Sequence, residues 1–253
     1  MLFVSTSWGN DSVALVQWLH EHEALRKYER VVCVYANTGW SASNWPERVA
    51  LAESVARSYG FETHVLMSMG FVPLARLKKG FPRNGMQFCT EELKVKPLTR
   101  FMADLDPEGD GTCAIGIRRE ESRNRASWPG YVEESEKHGG RSAWFPLVRV
   151  QTLERDALIT RFGFDPLPHR SRECYPCINS NRRDLRLLTE DRIAMIATLE
   201  ANMGHTSLGK PRTLFRPYRH AGATGIREVV RWANSERGEY EPDVGCDSGF
   251  CGD

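Results

Sequence analysis

The 253-residue sequence contains no apolar run approaching the roughly 20 residues that a membrane-spanning helix requires, so no membrane association is expected. Its opening stretch, "MLFVSTSWGN", has no basic segment ahead of the apolar residues. No cleaved signal is therefore expected, and a cytoplasmic location is. Internal repeats and low-complexity tracts are absent, which leaves no sign of a repeat architecture. Cysteine is sparse: seven residues, an odd number unevenly spread, argue against a secreted disulfide framework. Net charge is nearly absent at +1, but the balance is local. Residues 210–231 carry a net of +5 and residues 236–253 a net of −5, a basic arm followed by an acidic tail. What the chain does have is 41% hydrophobic residues, enough for one sizeable core.

The hydrophobic pattern alternates between buried-strand and helix periods. Strands are expected at Leu2–Thr6, Val31–Tyr35, Thr63–Met67 and Cys113–Ile117. Helices are expected from Asp11 to about Tyr28, from Pro46 to Tyr59, over Leu93–Leu105 with Pro97 early in it, at Thr152–Phe162, at Thr189–Met203 and at Arg227–Ser235. Gly70–Gly85 is amphipathic and basic, with "LKKGFPRNG" as an exposed loop, and the polar stretch between Ser127 and Ser142 reads as loop. Strands alternating with helices predict an α/β fold: an open, mostly parallel twisted sheet with helices on both faces. The expected organisation is a nucleotide-binding core over residues 1–125 and a cysteine-bearing region over 126–253 packed on the same domain.

Between the first strand and helix lies "TSWGNDS". A strand, a loop with Ser7, Gly9 and Ser12, and a helix start present backbone N–H groups, hydroxyls and a positive helix end to phosphate. Gly9 allows close backbone approach. The spacing is not that of GxxxxGK[ST]. It resembles the SGGKDS loop of the PP-loop ATP pyrophosphatases and their relatives, the sulfonucleotide (PAPS/APS) reductases, through Ser7, Gly9, Asp11 and Ser12. Trp8 stands in place of a glycine, either stacking on a base or packing the loop, and Asn10 stands in place of the lysine, where its amide can still donate to phosphate.

Three further segments carry the same resemblance in family order. "ANTGW", with Asn37, Thr38 and Gly39, resembles the D-T-G segment at a strand's carboxyl end, where a crevice forms in an open sheet. "FCTEELKVKPL" resembles C-x-x-x-[LR]-K-x-x-P-L through Cys89, Leu93, Lys94, Pro97 and Leu98; Lys94 is either a phosphate cation or a surface helix lysine. "GIRREESRNR" resembles G-x-R-x-x-E-S-x-x-R through Gly116, Arg118, Glu121, Ser122 and Arg125. Its guanidiniums suit phosphate or sulfate, and Glu121 would orient an arginine or a ribose hydroxyl.

Cys174 and Cys177 form a C-x-x-C that alone fits a redox dithiol, half a zinc site or part of an iron–sulfur site. With Cys89 upstream, the set resembles that of assimilatory APS reductases, which implies a [4Fe-4S] cluster. Only one upstream cysteine is present, so a fourth ligand comes from the tail, Cys246 or Cys251; zinc is the alternative metal. Cys33 and Cys113 fall in strands and are expected in the core. Cys251, flanked by Gly249 and Gly252, is the expected reactive thiol, although the E-C-G-L-H tail of PAPS reductases is absent. Arg212, Arg216, Arg219 and Arg227 interleave with Phe215 and Tyr218 and, with Arg182, Arg183 and Arg186, offer a nucleic-acid surface, an anion site or partners for the acidic tail.

The resemblance implies an ATP pyrophosphatase that adenylates an acceptor for sulfur transfer, in nucleic-acid sulfur modification of the DNA-phosphorothioation or tRNA-thiolation kind. ATP and Mg²⁺ are the implied cofactors, with Asp11 positioning the metal and Lys94 and Arg118 beside the phosphates. A cysteine desulfurase or thioredoxin-like protein is the expected sulfur or electron donor, and a homo-oligomer is allowed. The alternative is an APS/PAPS reductase that releases sulfite; a non-enzymatic nucleotide- and cluster-binding adaptor is the third reading.

Overall fold

The computed structural model describes residues 1–83, 85–215 and 223–236. Six strands among them form one sheet in the order β3-β2-β1-β4-β6-β5. The centre is β1 (Leu2–Thr6), which pairs in parallel with β2 (Val31–Asn37) and β4 (Thr112–Ala114), placing Phe3 between Val32 and Cys113. Beyond β2, the edge strand β3 (Glu62–Met67) is also parallel. On the other side β6 (Ala143–Trp144) runs parallel to β4, and β5 (Tyr131–Val132) closes that edge antiparallel. The continuous apolar runs of β1 and β2 fit strands covered on both faces.

Alternation along β1 divides the core. Leu2 and Val4 pack with Val13 and Leu15 of α1 (Asn10–Glu21), with Trp45 and Val49 of α3 (Trp45–Ser58), and with Leu158 and Ile159 of α7 (Thr152–Arg161). Phe3, Val32, Val34 and Cys113 face the other way and pack with Met102 of α6 (Lys96–Leu105). A further core joins Phe71 and Leu74 of α4 (Phe71–Leu77) to α8 (Arg182–Arg186), α9 (Glu190–Met203) and α10 (Ile226–Asn234) around Trp40, Tyr175 and Trp232. Residues 143–162 thus belong to the cores of the sheet, while most of the chain beyond Tyr175 packs around its own core against α4.

Three elements depart from the sequence pattern. The first helix stops at Glu21; Glu23 takes a left-handed conformation (φ 53°), and one turn, α2 (Ala24–Lys27), completes the run. The helix before Leu105 begins with α5 (Phe88–Thr90) and passes through a π-helical turn, Glu91–Val95, before α6. Pro97 has no N–H to give to the carbonyl four residues back, and the ladder widens ahead of it. The fourth strand ends at Ala114, short of Ile117, because the chain turns toward the loop that carries Arg118.

Candidate nucleotide-binding cleft

The β1–α1 loop is built by local contacts. Trp8 lies in the left-handed region (φ 56°), and its ring is fully buried in the core under the loop, so it packs rather than stacks on a base. Its carbonyl accepts a 2.8 Å hydrogen bond from Arg48 Nε. Ser12 Oγ accepts from the Ser7 amide at 3.3 Å and donates to the Gly9 carbonyl at 3.2 Å. Gly9 is required by close approach: a Cβ there would stand 2.9 Å from Ser171 Cβ. Asn10 corrects an expectation. Its side chain donates to the Leu167 carbonyl and accepts from the Leu167 amide, both at 2.9 Å. The amide group that was to meet phosphate instead latches the loop to residues 167–171.

The loop forms one wall of an open cleft of about 270 Å³ at the carboxyl ends of β1, β2 and β4. Strand order reverses between β2-β1 and β1-β4, so this is the switch point where open α/β sheets form a ligand crevice. Ser7, Asp11, Ser12, Lys94, Gly116, Glu121, Arg125 and Glu173 are among its lining residues. Gly116 is needed because a Cβ there would lie 2.8 Å from the Asp11 carbonyl oxygen. Beneath the lining, buried Arg118 donates to Asp11 Oδ1 at 2.6 Å and to Glu120 Oε2 at 3.2 Å. Arg118 therefore positions Asp11 and is not a guanidinium open to the cleft. Glu121 accepts from the Arg118 amide at 2.9 Å and forms an ion pair with Arg125. Lys94, on the π-turn, pairs with Glu173. The enclosed surroundings oppose its charge, but Glu173, with help from Cys174 and Cys177, holds the ammonium above its ordinary pKa. Sequence reasoning missed Glu173; its place beside the C-x-x-C was the one available signal.

The Asn37–Gly39 segment is placed differently from the expectation. Thr38 is buried and donates to the Glu173 carbonyl at 3.1 Å, and Asn37 Oδ1 accepts from the Gly39 amide at 2.9 Å. Gly39 has φ 62°, and an added Cβ would lie 3.3 Å from Gly70 Cα. These residues build the turn that supports the cleft, and none of them is among its lining residues.

Cys33 and Cys113 are buried in the core. Cys89, Cys174 and Cys177 are free thiols in one neighbourhood. Burial, then Cys177, raises the Cys89 pKa. Burial also pushes Cys174 up to about 12 against the pull of Lys94, with Glu173 and Cys177 adding to the rise. Among the described residues no group of three or more His, Cys, Asp or Glu side chains is arranged to hold a metal ion. Cys246 and Cys251 lie outside the described residues. The described thiols alone do not complete a four-thiolate centre for a [4Fe-4S] cluster or zinc.

The expected basic surface is also revised. Arg182 is buried and donates to the carbonyls of Ala233 (3.0 Å), Trp232 (3.1 Å) and Ser235 (2.6 Å) at the end of α10, and Arg186 joins it at Ala233. Arg212 bonds the carbonyls of Met203 and His205, Phe215 is buried, and Arg227 pairs with Glu190. These side chains close helix ends and connections, as cations at carbonyl-rich helix termini do. Arg216, Tyr218 and Arg219 lie outside the described residues.

A mostly parallel α/β sheet with a serine- and glycine-bearing loop at its switch point places the chain among the open-sheet α/β proteins that form a ligand crevice there. The chain belongs to the phosphoadenosine phosphosulfate reductase domain family, whose model matches residues 1–169. Two Escherichia phage proteins are similar to it. One is an uncharacterized 37.8 kDa protein in the gpa 5′ region of phage 186, 24% identical over 236 residues, covering 84% of this chain and 68% of that protein. The other is the uncharacterized nin region protein ORF290 of phage lambda, 24% identical over 134 residues, covering 51% of this chain and 41% of that protein. Among solved structures, phosphoadenylyl-sulfate reductase from Candida auris in a phosphate complex has 18% identity and a TM-score of 0.46, covering 65% of this chain and 74% of that one. The U34-tRNA thiolase NcsA from Methanococcus maripaludis with its [4Fe-4S] cluster has 16% identity and a TM-score of 0.47, covering 92% of this chain and 70% of that one. Among the described residues no helix is long and apolar enough to cross a membrane.

Proposed function

We propose that the chain is a PAPS reductase-like ATP pyrophosphatase that adenylates an acceptor for sulfur transfer in nucleic-acid modification. The supporting observation is the charge of the cleft. Its described lining holds two cations, Lys94 and Arg125, against three carboxylates, Asp11, Glu121 and Glu173. A bare polyanionic nucleotide meets a lining that does not neutralise it, whereas a nucleotide bound with a divalent cation carries part of its own compensation. Mg²⁺ fits the donor set: it takes one or two carboxylates together with substrate phosphates, and Asp11 lines the cleft with its side chain one-third exposed (33%). When bound, the metal would neutralise developing charge on the phosphates.

The chain's own residues act around that substrate. Ser7, Ser12 and the uncapped amino end of α1 bind phosphate oxygens, and Arg118 holds the Asp11 carboxylate in place. Lys94 leaves Glu173 to meet the α-phosphate. An acceptor oxygen attacks the α-phosphorus, the bond to the β-phosphate oxygen breaks, and pyrophosphate departs. The terminal sulfur of a cysteine persulfide then displaces AMP and forms a carbon–sulfur or phosphorus–sulfur bond. A thiol of the thioredoxin-like partner attacks the cysteine sulfur and breaks the S–S bond, so the transferred sulfur stays on the acceptor and the two thiols are left as a disulfide. The sulfur comes from a desulfurase-type donor, with Cys251 as the relaying thiol.

A second reading, an APS/PAPS reductase, is favoured by Asn10: it stands where the family loop has a lysine, and its amide is engaged with Leu167, so the loop offers neither a cation nor that amide to a β-phosphate. One comparison separates the two. Pyrophosphate release from ATP and Mg²⁺ is measured with and without tRNA and DNA, and sulfite release from APS and PAPS is measured with thioredoxin. Nucleic-acid-stimulated pyrophosphate release supports the first reading; sulfite without pyrophosphate establishes the second. Iron and sulfide analysis of anaerobically purified protein tests the cluster.

A further inference from the structure

The stretch from Thr63 to Thr90 contains no Asp or Glu in 28 residues, yet it carries Arg76, Lys78, Lys79 and Arg83. All four are exposed. Lys78 alone of them has a carboxylate partner among the described residues, Glu92 at 3.2 Å. Among the described residues the Arg83 guanidinium bonds the Met86 sulfur, at 3.3 Å, and the two residues also exchange backbone bonds. Leu77 and Met86 stand among these cations with 65% and 54% of their surface exposed. A concentration of like charge beside exposed apolar side chains is costly unless a polyanion covers it.

The backbone at Lys79 adds a second observation. Helix α4 ends in a Schellman arrangement: the Gly80 amide donates to the Ala75 carbonyl and the Lys79 amide to the Arg76 carbonyl, both at 3.0 Å. The left-handed position of that motif favours glycine, and here it is Lys79, with φ 51°. The chain holds a lysine where glycine would be less strained, and that lysine has no bonding partner among the described residues. Nothing in the packing of α4 explains it, and the lysine presents an exposed ammonium to which an external anion has access.

The chain joins this surface to the cleft on both sides. Helix α4 starts at the carboxyl end of β3, where the Phe71 amide donates to the Thr38 carbonyl at 2.9 Å. The loop then leads into the π-turn that carries Lys94. We infer that the end of α4 and the loop to Met86 form the docking surface for an unpaired polynucleotide. Its phosphates lie on Arg76, Lys79 and Arg83, and its base faces lie on Leu77 and Met86. Cations for the backbone beside apolar faces for unstacked bases are what single strands require, and a duplex would not offer the second. This partner is the acceptor of the proposed function, and the inference rests on that reading for its consequence, though not for its test.

The test is fluorescence anisotropy of a labelled single-stranded RNA and a single-stranded DNA on the full chain, across a salt series. The Arg76→Gln/Lys79→Gln/Arg83→Gln variant is expected to bind at least roughly tenfold more weakly, with the slope of log K against log salt smaller by about two, at ~0.7 per lost phosphate contact. Lys79→Gly, which relieves the backbone and cannot be dismissed as misfolded, is expected to raise the melting temperature while weakening binding and reducing the slope by about 0.7. Unchanged affinity and slope in both variants overturn the inference. So does a duplex bound as well as the single strand, or loss confined to phosphatidylserine vesicles. Pyrophosphate release from ATP and Mg²⁺ in the presence of the same single strands is read in parallel on the unmutated chain: its absence counts against the ATP pyrophosphatase reading, while the docking surface stands or falls on the binding data.

Discussion

Two arginine–aspartate pairs sit at opposite ends of the same sheet. At the carboxyl end Arg118 meets Asp11 at 2.6 Å; at the amino end Arg141 meets Asp106 at 2.9 Å. Both arginine side chains are buried, 4% and 5% exposed. The carboxylates differ: Asp106 is 12% exposed and also accepts from the Gly111 amide at 3.0 Å, whereas Asp11 is 33% exposed and lines the cleft. One pair is closed and holds α6 to the strand starts of β4 and β6. The other uses the same chemistry to hold a carboxylate half open toward a ligand. An ion pair is structural or functional according to what its carboxylate faces, and residue type does not reveal which.

The comparison can be broken by removing each acid in turn. Asp106→Asn strands a buried guanidinium and is expected to cost about 3–5 kcal/mol in urea denaturation, with turnover per folded molecule unchanged. Burial alone would raise the Asp106 pKa, but Arg141 and the Gly111 amide outweigh it and hold the pKa below its ordinary 3.8. Because the folded value is the lower one, this stability is fully present above the unfolded pKa and is lost as pH falls below it through the folded value. An acid-unfolding curve of Asp106→Asn should therefore show a smaller loss of stability below about pH 4 than the wild type, the difference being the share that Asp106 contributes.

Asp11→Asn should do the reverse. Pyrophosphate release is expected to fall at least roughly a hundredfold, with a much smaller change in the urea midpoint. A stability loss matching that of Asp106→Asn, with turnover retained, would place Asp11 among the structural acids. The smallest effect belongs to the latch. Asn10→Ala removes two hydrogen bonds to Leu167 and is expected to cost about 1–2 kcal/mol, while KM for the nucleotide rises as the loop loosens. An unchanged KM would show that the loop is shaped without the latch.

The sequence shows the frame of this site because the frame is local. The apolar run of β1, Gly9 at the start of α1 with Ser12 in its first turn, and Gly116 after β4 are each signals read within a few residues, and the structure brings these segments together around the cleft. Other features were not legible for identifiable reasons. The strands β5 and β6 are two residues each, too short for any period, and exist because their neighbours hold them. Helix α4 reads only as an amphipathic, basic stretch without bounds, because Arg76, Leu77 and Lys78 put charge and an exposed leucine where it runs into the loop. Arg182, Arg186 and Arg212 look in sequence like a nucleic-acid surface, and only folding brings them to carbonyls that accept them.

By itself, the sequence determined the class: an alternating α/β chain with a phosphate-type loop and a glycine-led arginine segment, because hydrophobic period and glycine placement act over short range. The tertiary structure decided the use of each charge. Asn10 finds Leu167 at a separation of 157 residues, Arg118 finds Asp11 at 107, and Lys94 finds Glu173 at 79. A charged side chain's role depends on its partner and on the dielectric around the pair, and both come into being only when distant segments meet.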